Sequence, residues 1–147
     1  MPTEKAIRKA LGRLVRNGAD PYWVNEDAFV LLELQCVKGR AESDFSGEEY
    51  PEAAALIAIL QELIETKIKR HQVRKLLLIL FDFERDYPES TAKTRRTVAG
   101  EQFREGKKQV TRGTVRQYHE PRALDRLAEL LVAAERSARA EDKDVAS

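Results

Sequence analysis

Cysteine is almost missing from this 147-residue chain: Cys36 stands alone, so no internal disulfide can form. Histidine is nearly as scarce, and His71 and His119 with one distant thiol make no zinc-ligand spacing. Only 7 glycines and 5 prolines occur, against 42% hydrophobic residues, which excludes collagen-like, linker-like and wholly disordered chains. The longest apolar run, 53–60, is eight residues. A transmembrane helix needs about 20. No apolar N-terminal run of the signal-peptide kind is present, so the expected location is the cytoplasm, with no membrane partner.

Catalytic patterns are missing as well. Gly100 and Gly113 are isolated and match no nucleotide-binding fingerprint. His119 and Glu120 are neighbours in sequence and diverge on a helix, which disfavours an acid–base pair. Cys36 has no histidine partner nearby and reads as an inert thiol on an apolar-rich helix. Asp82, Glu84 and Asp86 read as a solvated edge, not a magnesium site. The expectation is a non-enzyme with no cofactor and no metal.

What the chain does have is charge, 35% of its residues, distributed in blocks that the net +1 conceals. Residues 1–16 carry +4, residues 17–66 carry −9, residues 67–89 carry +2, residues 90–126 carry +6 and residues 127–147 carry −2. A basic block suggests a polyanionic partner such as nucleic acid; acidic and basic blocks can equally neutralise one another within a fold or across a homodimer.

Apolar spacing predicts helices throughout. Thr3 is placed to cap a first, outwardly basic helix ending at Asn17 and Gly18. Residues 20–23 read as a turn, with Asn25 capping a helix over 27–37, and 40–47 as a loop. Pro51 suits the first position of a helix over 52–68. The run 76–81 fits strand or buried helix by periodicity; a helix over 73–83 is preferred, because no second strand is available to pair with it. A basic helix over 92–103, a turn over 104–108 and a last helix from Pro121 complete the pattern. The expected fold is an all-α, compact bundle of five to six helices in one domain, 1–136, with a charged flexible tail over 137–147. Tyr22 with Trp23 lies in acidic surroundings unsuited to bases, Tyr118 reads as packing, and Lys67, Lys69, Arg70, Arg74 and Lys75 form a second basic cluster.

The segment Val110-Thr111-Arg112-Gly113-Thr114-Val115-Arg116-Gln117-Tyr118 resembles the turn and recognition helix of bacterial helix-turn-helix proteins. Thr111 can cap a helix whose Val115 packs inward, leaving Arg112, Thr114, Arg116 and Gln117 to read bases. Lys93, Arg95, Arg96, Arg104, Lys107, Lys108 and Thr111 would hold phosphates. Lys108 and Gln109 stand where the family has an apolar residue and a glycine. Either the connection is longer, turning at Gly106, or the segment is a plain capped amphipathic helix; Pro121 is expected to end it after about two turns. The resemblance implies a small DNA-binding regulator of transcription, acting as a homodimer on double-stranded DNA. The competing expectation is a non-catalytic helical protein–protein interaction module.

Overall fold

The structure, a computed structural model, describes residues 2–83, 91–102, 104–105 and 108–146, with backbone alone at 104, 105 and 142–146. It is all-α apart from a two-residue ladder. Helix α1 (Glu4–Asn17) starts where the Thr3 hydroxyl accepts from the Ala6 amide, at 3.1 Å, and stops at Gly18, whose φ of 77° is the left-handed conformation that glycine adopts without strain. Its buried stripe is Ile7, Ala10, Leu11, Leu14 and Val15.

The expected helix over 27–37 is three pieces instead: α2 (Pro21–Asp27), α3 (Phe29–Leu32) and α4 (Gln35–Asp44). The cap of α2 is Asp20, which accepts from the Tyr22 amide, and Asn25 lies inside the helix. Leu34 is extended, with ψ of 139°. The break there has a tertiary cause. The buried carboxylate of Glu135 accepts from the Gln35 and Cys36 amides, both at 2.9 Å, and so takes the place of a local cap on α4.

Helix α5 (Pro51–Lys67) does begin on its proline, and the run 76–81 is helical within α6 (His71–Phe81). Leu76, Leu77, Leu80 and Phe81 of α6 are buried, each aliphatic side chain stabilising the fold by about 1.5–3 kcal/mol relative to exposure. Helix α7 (Ala92–Gln102) follows; then β1 (Arg104–Glu105) pairs antiparallel with β2 (Lys108–Gln109), Arg104 opposite Gln109. Helix α8 (Arg112–Thr114) runs through a π-helical turn (Val115–His119) into α9 (Glu120–Ala146). Helix α9 packs on α1, α4, α5 and α6, closing a single apolar cluster that extends from Ile7 to Val132.

Two further boundaries, both near the C-terminus, differ from expectation. Pro121 does not end a helix, because the Glu120 amide reaches five residues back to the Val115 carbonyl, and this wider turn makes room for the proline ring. Nor does α9 stop at residue 136: it continues to Ala146, with Arg139 paired to Glu135 one turn earlier at 2.9 Å. Among the described residues no helix is long and apolar enough to cross a membrane.

Candidate nucleic-acid interface

Helix α7 carries both an inward and an outward basic face. Arg95, expected on phosphates, is 1% exposed and donates to the Leu80 carbonyl and, at 2.9 Å, to the Arg16 carbonyl. It therefore supplies donors to the C-terminal ends of α6 and α1, where carbonyls lack helical partners and a positive charge is favoured. Burial removes it from any surface. Arg96 makes a two-pronged pair with the buried Glu120, at 3.1–3.2 Å, joining α7 to the start of α9. Lys93 is exposed.

Gly100 sets how closely the next segment approaches. The Val110 amide donates to its carbonyl at 3.0 Å, and a Cβ on residue 100 would drive into the Val110 backbone. The connection from α7 to α8 is a longer one that contains the β1–β2 ladder. Lys108 is exposed on it, Arg104 is described by backbone alone, and Lys107, like Gly106, lies outside the described residues.

Thr111 is an N-cap: its hydroxyl accepts from the Thr114 amide at 3.2 Å and pairs with the Thr114 hydroxyl at 3.0 Å. Val115 is fully buried, while Arg112, Arg116 and Gln117 are exposed and Thr114 is half-buried. The nine-residue segment thus presents one apolar anchor and a polar outer face. Tyr118, expected to pack, is 58% exposed.

The feature hidden from sequence reasoning is the company Arg116 keeps. A groove of about 750 Å³ brings it beside Lys9, Arg13 and Arg16 of α1 and Arg96 of α7. Glu26 and Asp27 also line it, and Asp27 accepts from the Asn17 side chain at 2.8 Å. Phe29, 59% exposed, stands at the same groove. The basic blocks 1–16 and 90–126, separated by the acidic stretch, therefore meet in space. Their charges were legible; their meeting was not.

The one thiol sits elsewhere. Burial and the Glu135 carboxylate push Cys36 up to about 12, so it stays protonated at neutral pH. Glu135 is itself held below the usual carboxylate range: burial opposes its charge, and the Cys36 and Gln35 amides with Arg139 more than offset that. Among the described residues no cluster of histidine, cysteine and carboxylates is arranged to hold a metal ion. No protein-family model, no curated protein and no solved structure matches this chain.

Proposed function

We propose that the chain binds double-stranded DNA, with α7 and the α8–π turn segment working as a helix-turn-helix-like unit whose connection is longer than usual. The observation that carries this reading is the groove in which Arg116 meets Lys9, Arg13, Arg16 and Arg96. Its five cations outnumber the two lining carboxylates, Glu26 and Asp27, even with Arg96 already shared with Glu120, and that positive surplus attracts a polyanion. On this reading Arg112, Arg116 and Gln117 project to base edges, with half-buried Thr114 at the margin. Lys93, Lys108, Lys9 and Arg13 hold the backbone. A helix with so few base contacts calls for a second copy, so the acting species is a homodimer.

Fluorescence anisotropy of a mixed-sequence duplex tests the reading, with wild type and Arg112→Ala/Arg116→Ala at low salt and at about 0.15 M. Binding is expected to weaken steeply with salt and to fall by about tenfold or more in the double variant, which removes two cations from the surface. Absence of binding at low salt overturns it.

A second reading, a protein-interaction module, is favoured by one observation. Tyr22 (48% exposed) and Trp23 stack edge to face at 5.1 Å in the acidic part of the chain, with Tyr50 against Tyr22 at 6.2 Å. That reading expects self-association or partner capture that dissolves in salt with no duplex present.

A further inference from the structure

A second groove, of about 390 Å³, opens between the end of α5, the start of α6 and the first turns of α9. Among the described residues its polar lining is Lys67, Lys69, Arg70, His119, Arg122 and Arg126, with no carboxylate. Its floor is apolar: Ile68 and Ala123 are buried and Val73 half-buried. Arg126 is shared with Glu129 at 3.1 Å. Among the described residues Lys67, Lys69, Arg70 and Arg122 have no carboxylate at ion-pair distance. The groove shares no residue with the one at Arg116.

Four cations, Lys67, Lys69, Arg70 and Arg122, with no described carboxylate at ion-pair distance around a concave apolar floor favour an occupant that is anionic at one end and apolar at the other. Two arginines suit the tetrahedral oxygens of a phosphoryl group, which accept paired N–H donors, and the lysines add point charge for a dianion. The volume falls within the range of small-molecule sites. We propose that this groove binds a small organic phosphate, its phosphoryl group held by Arg70 and Arg122 and its apolar body on Ile68, Val73 and Ala123. The inference does not depend on the DNA-binding reading.

Calorimetric titration of the full chain with phenyl phosphate, inorganic phosphate and phenol tests it. Phenyl phosphate is expected to bind at least about tenfold tighter than inorganic phosphate, with no binding of phenol. Arg70→Ala/Arg122→Ala should weaken phenyl phosphate by at least about tenfold with an unchanged circular dichroism spectrum, both side chains being exposed. Should the double variant lose its fold, Arg122→Gln serves the same purpose. Arg112→Ala/Arg116→Ala should bind like wild type, which separates this site from the duplex surface. Equal affinities for phenyl phosphate and inorganic phosphate, or an undiminished affinity in the variants, would overturn the proposal. So would displacement of phenyl phosphate by a duplex whose own binding is lost on Arg70→Ala/Arg122→Ala, because the groove would then belong to a nucleic-acid path.

Discussion

Around Arg95 a buried cation donates to the carbonyl ends of α1 and α6, whereas around Glu135 a buried anion accepts from the amide end of α4. Both charges sit where the helix dipole favours their sign; Glu135 replaces a cap that Leu34 cannot supply to α4, whereas Arg95 adds donors to ends that Gly18 and Asp82 already close locally. The difference lies in their neighbours. Arg95 belongs to the most basic block of the chain and is the member withdrawn from its surface; Arg96 beside it is shared with Glu120, and Arg116 is exposed. A basic block is thus a mixture of fasteners and free charges, and only coordinates sort them.

The comparison can be broken at either charge. Arg95→Met keeps most of the side-chain volume and leaves the Leu80 and Arg16 carbonyls without their donor. We expect a loss of about 3 kcal/mol, read from urea denaturation, since buried groups deprived of a charged partner each cost about 1–3 kcal/mol. A loss below about 1 kcal/mol would mean that the two helix ends are satisfied without it.

Glu135→Gln should be milder, about 2 kcal/mol at neutral pH, because the amide oxygen still accepts from one backbone N–H. The effect is pH-dependent with a defined sign. The folded pKa lies below the unfolded value of about 4.3, so the carboxylate's contribution is complete above that pH and is lost as pH falls through the folded value. The gap between wild type and Glu135→Gln should therefore narrow below about pH 4; a constant gap would assign the loss to packing. Smallest is the local cap: Thr111→Ala should cost about 1 kcal/mol and Thr111→Ser should recover most of it, as thermal unfolding would register.

Helices α1 and α5 were legible because their signals are local: a threonine cap three residues from its amide, a proline at the first turn, a regular apolar stripe. Over 76–81 a single apolar stripe through Val73, Leu76, Leu77, Leu80 and Phe83 and the lack of a partner strand favour helix, and α6 is helical. The break at Leu34 was not legible, because the carboxylate that caps α4 comes from 100 residues away. The burial of Arg95 is illegible in the sequence for the same reason: one of its acceptors is 79 residues distant. At the candidate interface the inward turn of Val115 and the Thr111 cap followed from spacing, while the contribution of Lys9, Arg13 and Arg16 needed the fold to bring α1 alongside.

The π turn at Val115–His119 also has a meaning for descent. Such a turn amounts to one residue inserted into a continuous helix, so removing a residue from it would rotate Arg112 and its neighbours by about 100° around the axis of α9. The insertion and Pro121 belong together, since without the wider turn the proline ring would meet the carbonyl one turn back. A relative one residue shorter at this place is expected to lack the proline and to aim a different set of side chains from the same scaffold.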